Sequence, residues 1–379
     1  MKVAIISHTN HFLDQSGNVV GFGPTVREIN LLLEIFEAVY HIAPLHQQGV
    51  APANAISYVS DKIIFVPLQP SGGHGLMDKI GVLGSAFSNL KVIQTTLKEV
   101  DVFQFRGPTG IGVYLLPYIS FFSTTPRWVK YAGNWVQENP PAGYAFQRWW
   151  LKKNLQKSPV TVNGKWPAQE AHVLSFENPC ITDQELQQAK SIAAKKSFKS
   201  GLVICMVGRI EKEKGVGRIL EALKHLPEGF PIEKVYFVGD GPGKPGFVKE
   251  ASSIAIPCVF TGTLDREALN DIYAESHIFC LPSTASEGFP KVIAEAAAFG
   301  CIPLVSSVSS IAQYIHHGVN GSVLEVTDAS GVAAQLQMLE QDRGALEKLS
   351  ANVVSLAEKF TYSHYNSRII NDVLPKLIF

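Results

Sequence analysis

The sequence predicts an α/β protein with two doubly wound, Rossmann-like domains, and three observations lead there. Short apolar runs alternate with longer amphipathic ones from end to end, the pattern of a parallel sheet covered by helices on both faces. That pattern occurs twice. A chain of 379 residues also exceeds the size at which one core keeps growing, so two domains of roughly 150 to 200 residues are expected.

In the first half the strand candidates are residues 3–7, 39–43, 62–67, 102–105, 128–131 and 160–163. A second series begins at 202–207 and continues with 235–238, 258–261, 277–281 and 302–306. Helical spacing fits between them at 24–38, 217–226 and 266–274. Between the two series Asn178-Pro179 favours a turn, which sets the domains at 1–180 and 181–361. A polar helix from Asp183 to about Lys199 opens the second domain. The last segment, 362–379, carries Ile369, Ile370, Val373, Leu374, Leu377 and Ile378 at roughly helical spacing and is expected to pack back across the domain junction.

A hydrophobic fraction of 46% and a charged fraction of 17% fit a well-buried globular enzyme, and a formal net charge of zero argues against a nucleic-acid partner. The five cysteines, Cys180, Cys205, Cys258, Cys280 and Cys301, are odd in number and form no CxxC pair, which points to a reducing compartment. The N-terminus enters a strand directly, without the length or cleavage site of a signal peptide. The longest apolar run, 111–122, contains Gly112 and Pro117 and is too short to span a bilayer. The expectation is a cytoplasmic protein, either unattached or at the inner face of the membrane.

The most informative stretch is Glu287-Gly-Phe-Pro-Lys-Val-Ile-Ala-Glu295, two carboxylates eight residues apart around a turn that opens a helix. Pro290 suits a first helical position and Gly300 the residue just past the end. Backbone N–H groups near Gly288, Phe289 and Lys291 would form an anion site at the positive end of the helix dipole. A carboxylate beside a diphosphate is repelled, so Glu287 and Glu295 are better placed to accept from sugar hydroxyls on either side of it. Alone, the pair is equally a solvated helix face.

Gly208-Arg209 and Lys214-Gly215 follow the strand 202–207 at the carboxyl end, where open α/β sheets bind ligands. Arg209 and Lys214 converge there on one diphosphate, or else Glu211 to Lys214 form a solvated charged loop. Gly241, Gly243 and Gly246 match G-x-G-x-x-G formally, but Pro242 and Pro245 remove N–H donors where a helix start is needed, and Lys244-Pro245 fails the Walker pattern. A turn rimming a nucleotide pocket, with Gly241 in it, or a purely structural turn remains. Gly17, Gly21 and Gly23 lie between the first strand and the helix near Pro24, as a loop bringing backbone to a phosphate or sugar, or as an ordinary connection. His8 and His11 flank it without a third metal ligand. No Asp-x-Asp, no Cys/His cluster and no G-x-S-x-G occurs, which moves any phosphate chemistry onto cations and dipoles. The stretch 146–157 mixes aromatics with Arg148, Lys152, Lys153 and Lys157, as a membrane-surface helix does, or an internal helix with a wet basic face.

Taken together, Gly208-Arg209, Lys214-Gly215, the turn at 239–243, Phe260-Thr-Gly262, Pro282-Ser283, Glu287-Gly-Phe-Pro and Glu295-Ala resemble family 4 retaining glycosyltransferases of the GT-B fold. The resemblance implies two Rossmann-like domains facing across a cleft, with a C-terminal helix crossing back to the first. It implies a donor of nucleoside-diphosphate sugar, UDP or GDP type, and an acceptor, glycan or lipid-linked, on the first domain. Arg209 and Lys214 would bind the diphosphate, and Glu295 the ribose. Glu287 and the backbone of Gly288, Phe289, Pro290 and Lys291 would hold the donor sugar, and Gly262 to Leu264 would border the base.

The implied activity is retaining, metal-independent transfer without a cofactor, in bacterial cell-surface glycan or glycolipid synthesis. One departure stands out. Many relatives carry histidines in the segment matching Asp101 to Pro108, one of them touching the donor sugar; here those positions read Gln104 and Arg106. Arg106 takes that place or closes a salt bridge at the strand end. A GT-B-like protein that binds without catalysis, or a sugar-nucleotide epimerase, fits the same architecture.

Overall fold

The computed structural model describes residues 1–70 and 84–377. The chain divides into two compact units, Met1–Asn178 with Tyr365–Phe379, and Pro179–His364. The strands of the first unit are β1 Lys2–Ile6, β2 His11–Leu13, β3 Val19–Phe22, β4 Ala38–His46, β5 Ala55–Ser57, β6 Ile63–Leu68, β7 Val102–Gly107, β8 Arg127–Tyr131, β9 Val160–Val162 and β10 Val173–Ser175. Those of the second are β11 Leu202–Val207, β12 Ile232–Val238, β13 Cys258–Gly262, β14 Ile278–Leu281, β15 Ile302–Ser306 and β16 Ser322–Leu324.

In the first unit a parallel run β10-β9-β8-β7-β1-β4-β6 forms the base. Its central strands read as unbroken apolar runs because both faces are covered: Val3 to Ile6 are fully buried. The glycine-rich stretch after β1 is not the loop the sequence suggests. It folds as the antiparallel pair β2/β3, with β3 passing on to β5. Asp14 closes the turn by accepting from the N–H groups of Ser16 and Asn18 at 2.8 Å each. The following helix is also shorter than expected. It spans Gly23–Leu31, continues as a 3₁₀ turn Leu32–Glu34, and β4 begins at Ala38 because Lys2 of β1 pairs with it.

Two buried polar groupings sit in this unit. Glu28 accepts from Lys130 Nζ at 2.6 Å and Arg106 Nη2 at 2.9 Å, and Gln104 Oε1 accepts from Arg106 Nε at 2.6 Å. The second grouping is a chain whose direction is set by its ends. His11 Nδ1 donates to the Thr9 carbonyl (2.8 Å), so neutral His11 accepts at Nε2 from the Tyr58 hydroxyl (2.9 Å). Tyr58 in turn accepts from His41 Nδ1 (2.6 Å), and His41 Nε2 accepts from Ser7 Oγ (2.8 Å).

The C-terminal segment is a helix Tyr362–Arg368, a π turn Ile369–Val373 and a 3₁₀ turn Leu374–Lys376 rather than one helix. Tyr365, Ile369, Val373 and Leu377 enter the core of the first unit beside Val3, Ile5 and Trp128. Asn366 Nδ2 donates to the Leu31 carbonyl at 3.0 Å. Ile378, the last apolar position of that segment, lies outside the described residues.

The second unit is a parallel sheet in the order β13-β12-β11-β14-β15-β16, the dinucleotide-fold order with its reversal between β11 and β14. The polar helix that opens it, Asp183–Ala193, ends well before Lys199 and starts at a full capping box, Thr182 with Glu185. The glycine turn after β12 does start a helix, Lys244–Ala251, despite its prolines. Pro245 stands in the first turn, where a missing N–H costs nothing. Among the described residues no helix is long and apolar enough to cross a membrane.

Burial holds His11 down to about 4, and burial together with the neighbouring charges holds His41 well below 6.5. As pH falls through 6.5 the unfolded chain takes up protons that the folded unit refuses. Stability that is complete above that value is therefore lost at about 1.4 kcal/mol per pH unit per ring. For His11 the loss continues down to about pH 4. Urea midpoints measured from about pH 7 to about pH 5 are expected to fall, and to fall less steeply in His11→Gln.

Candidate functional site

At the carboxyl edge of the second sheet the turns after successive strands are laid directly on one another. Gly208 follows β11 with φ +151°, and Gly239 follows β12 with φ +131°. A Cβ on Gly239 would lie 2.0 Å from the Gly208 carbonyl oxygen. Gly239 N–H donates to the Gly262 carbonyl at the end of β13 (2.8 Å), which ties in the third strand. Gly215, at φ +92°, leaves its Cβ position 2.5 Å from the Pro282 carbonyl oxygen after β14. Gly241 is likewise pressed on the Ile210 carbonyl. At Gly239 and Gly215 only glycine supplies both the positive φ and the missing side chain.

Side chains then fasten the loop after β14. Arg218 Nη1 donates to the Pro282 carbonyl (3.0 Å) and Nη2 to Thr284 Oγ1 (3.2 Å). Thr284 N–H donates to the Glu213 carbonyl (2.8 Å), Ser306 Oγ to that of Ser283 (2.5 Å) and Ser310 Oγ to that of Gly288 (3.1 Å). The helix that follows is Lys291–Ala298, with Pro290 as the residue before it rather than its first, and Gly300 at φ +71° just past its end. Phe289 points inward, stacked on Phe360 at 4.7 Å between ring centroids, so its side chain belongs to the core and only its backbone is available at the turn.

The expected charged residues separate into two groups. Lys214 Nζ bonds Glu287 Oε1, joining the loop after β11 to the loop after β14 across the strand-order reversal. Arg209, 70% exposed, lies against Glu211 at 3.1 Å. Glu295 sits deeper, with Oε1 2.8 Å from Arg266 Nη1 and Oε2 accepting from the Tyr273 hydroxyl at 3.3 Å. Arg266 also reaches Glu185 (3.3 Å) and the Cys180 carbonyl (3.2 Å). Burial works against its charge, but Glu295 and Glu185 outweigh burial and hold its pKa above the ordinary value. Burial, reinforced by Glu295, raises the Tyr273 hydroxyl well above 10.0. Gly262, at φ +79°, lies beside the Lys244 ammonium, and Leu264 packs on the core just beyond. Among the described residues no three His, Cys, Asp or Glu side chains are grouped to hold a metal.

Other expected residues belong to internal packing of the first unit. The salt bridge left open for Arg106 is the one present: two of its five N–H donors serve Glu28 and Gln104. Gly21 stands in β3, where a Cβ would lie 2.4 Å from the His11 ring, and a Cβ on Gly23 would lie 2.6 Å from the Asn54 carbonyl oxygen. Both glycines therefore have a packing reason within their own unit. Arg218, Arg266 and Tyr273 escaped sequence reasoning. Arg218 and Arg266 begin amphipathic helices as ordinary surface charges do, and their partners lie 64 and 29 residues away.

An open parallel sheet with glycine turns and cations at the reversal of its strand order defines a Rossmann-like unit. Residues 187–355 within it match the family described as Glycosyl transferases group 1. The chain is 30% identical over 199 residues to the sulfoquinovosyl transferase SQD2 of Arabidopsis thaliana, covering 52% of this chain and 37% of that protein. It is 29% identical over 147 residues to a phosphatidyl-myo-inositol mannosyltransferase of Mycolicibacterium smegmatis, covering 38% of each. The chain thus spans well under two thirds of these relatives' own lengths.

Among solved structures it resembles sucrose-phosphate synthase from Thermosynechococcus elongatus, with a TM-score of 0.71 and 16% identity over 97% of both chains. It also resembles Anabaena HepE in complex with UDP and glucose, with a TM-score of 0.66 and 17% identity over 98% of both. These likenesses show the fold, two Rossmann-like units of the GT-B class.

The Gly208–Gly239 crossing yields a test. Gly239→Ala is expected to lower unfolding stability by about 2 to 4 kcal/mol, from overpacking plus a strained φ. Gly246→Ala, on the exposed start of the helix Lys244–Ala251 with nothing within 4 Å of its Cβ position, serves as the control and leaves stability unchanged or raised. Urea denaturation of both variants checks the contrast.

Proposed function

We propose that this chain is a retaining glycosyltransferase that moves a sugar from a UDP- or GDP-type sugar to a hydroxyl of a glycan or lipid-linked acceptor, in bacterial cell-surface glycan or glycolipid synthesis. One observation supports this most: Lys214 and Glu287 meet across the reversal between β11 and β14, inside the stretch that matches Glycosyl transferases group 1. A nucleoside-diphosphate sugar has its anionic centre between two hydroxyl-rich ends, and this edge offers cations flanked by two carboxylates. The relatives named for sulfoquinovosyl and mannosyl transfer, and the neighbour solved with UDP and glucose, favour the same donor chemistry.

In this reading the diphosphate takes Lys214 from Glu287 and draws in the exposed Arg209, so that Glu287 is released toward the donor sugar. Glu295 keeps Arg266 and Tyr273 and still has lone pairs for two ribose hydroxyls, since a carboxylate accepts about four hydrogen bonds. As the glycosidic bond breaks, negative charge grows on the leaving phosphate. Arg209, Lys214 and the amides at the start of Lys291–Ala298 meet it there. The leaving phosphate takes the acceptor proton on the same face, which yields retention without a nucleophile from this site. In this reading Arg209, Lys214 and the helix amides answer the phosphate charge, and no resident metal is invoked. The first unit is assigned the acceptor. In the alternative reading, a protein that binds a nucleotide or glycan without transfer, Arg106 bound to Glu28 stands where relatives carry a sugar-contacting histidine.

Arg209→Ala is expected to lower turnover by about 10²- to 10³-fold with its thermal unfolding unchanged. Slow hydrolysis of the donor is expected in the native chain and absent in Glu287→Ala. A panel of UDP and GDP sugars read by thermal shift identifies the donor, because a ligand bound only by the folded state raises stability. A chain stabilised by no nucleotide sugar, or an Arg209→Ala variant with near-normal turnover, sinks the reading.

A further inference from the structure

The first unit carries an aromatic and basic face that none of the chemistry above uses. Two helices, Gly112–Phe122 and Ala142–Lys152, pack so that their C-terminal ends lie side by side: Trp150 Nε1 donates to Ser120 Oγ at 3.1 Å. The Trp150 ring is the hub. Phe121 meets it edge-on at 5.8 Å between centroids, Trp149 at 6.2 Å and Phe146 at 5.5 Å, while Phe122 lies 5.6 Å from Tyr118. Yet Phe121 is 72% exposed, Phe122 74% and Trp149 51%. Three large rings standing in water at one place forfeit burial worth about 1.5 to 3 kcal/mol each, which marks a contact surface more than a packing accident.

The charge around this face is one-sided. Of the eight Lys or Arg in residues 102–169, Arg106 and Lys130 are buried on Glu28 and do not charge the surface, while the stretch holds a single acid, Glu138. Lys152 and Lys153 close the helix that carries Trp149, and Lys157 follows; all three are exposed and have no acidic partner among the described residues. Projecting aromatics beside lysines match the boundary of an anionic bilayer, where rings enter the headgroup layer and each lysine near the surface adds about 1 kcal/mol. A second copy of the chain fits poorly, since a two-fold contact through this face would set the lysines of both copies against each other.

We infer that Phe121, Phe122 and Trp149, with Lys152 and Lys153, form a docking face for an anionic lipid bilayer. The contact lies on the surface of the bilayer and does not cross it. It stands independently of the donor site, because it involves no residue of the second unit.

The full chain, without nucleotide sugar, is sedimented with vesicles of phosphatidylcholine mixed with phosphatidylglycerol and with vesicles of phosphatidylcholine alone. Binding to the mixed vesicles is expected at low salt and is expected to weaken sharply near 1 M salt, where the screening length shrinks to about 3 Å. Phe121→Ser/Phe122→Ser/Trp149→Ser is expected to lower the partition coefficient at least about tenfold with an unchanged thermal transition, since the rings are already exposed. Lys152→Glu/Lys153→Glu is expected to remove the preference for phosphatidylglycerol while leaving the fold intact. No binding of the native chain, or equal binding by the aromatic variant, overturns the inference. So does a dimer of the native chain in gel filtration that the aromatic variant converts to monomer. None of these outcomes bears on donor binding, which the thermal-shift panel reads separately.

Discussion

The second unit depends on backbone crossing backbone at the carboxyl edge of its sheet. Gly208 and Gly239 approach so closely that no side chain fits between them, and Gly215 meets Pro282 in the same way. Those two contacts close the space between the ends of β11, β12 and β14, and everything chemical at the edge is placed by them. Arg209 and Lys214 occupy the loop bounded by Gly208 and Gly215. Glu287 comes from the loop that starts at Pro282. A bulkier residue at Gly239 or Gly215 would push these loops apart and separate the cation from the carboxylate.

Charge is handled by a different rule in the interior. Glu28 is 3% exposed and faces both Lys130 and Arg106. Glu295 faces Arg266, which itself spans to Glu185. Such pairs add little net stability, because desolvation offsets most of the attraction, but losing one partner costs several kcal/mol. Their effect is to restrict each side chain to one arrangement. Arg106 on β7 is held this way to the helix Gly23–Leu31, and Gln104 on the same face of β7 meets both Arg106 and Tyr365.

What could be read beforehand follows the range of the interaction. The parallel sheets were legible because burial on both faces writes continuous apolar runs, as at Val3 to Ile6 and Leu202 to Val207. Gly208, Gly215 and Gly241 were legible as loop positions because they stand in the stretches after β11 and β12, but the pressing of Gly239 on Gly208 and of Gly215 on Pro282 was not. The β2/β3 pair was not, since Val19-Val20-Gly21 is too short to alternate visibly and its glycine answers to a histidine ring ten residues earlier. Arg218 and Arg266 were equally silent. Each closes a contact between segments far apart in sequence, and a single arginine near a helix start carries no mark of the carbonyl or carboxylate it will find.

The two glutamates that look equivalent in sequence are made unequal by their partners. Glu295 is tied to a planar guanidinium that is itself fixed to Glu185 and to the Cys180 carbonyl, so its direction is set from outside its own helix. Glu287 is one-third exposed and tied to an ammonium on a flexible four-carbon stem. An arginine fork resists exchange because its geometry is committed, whereas a lysine is a point charge that follows the stronger anion. A diphosphate carries more charge than one carboxylate and so competes for Lys214 far better than for Arg266. The eight-residue spacing thus joins a carboxylate committed to an arginine fork to one paired with a lysine, and under the proposed function it is that asymmetry, more than the spacing, that a diphosphate would exploit.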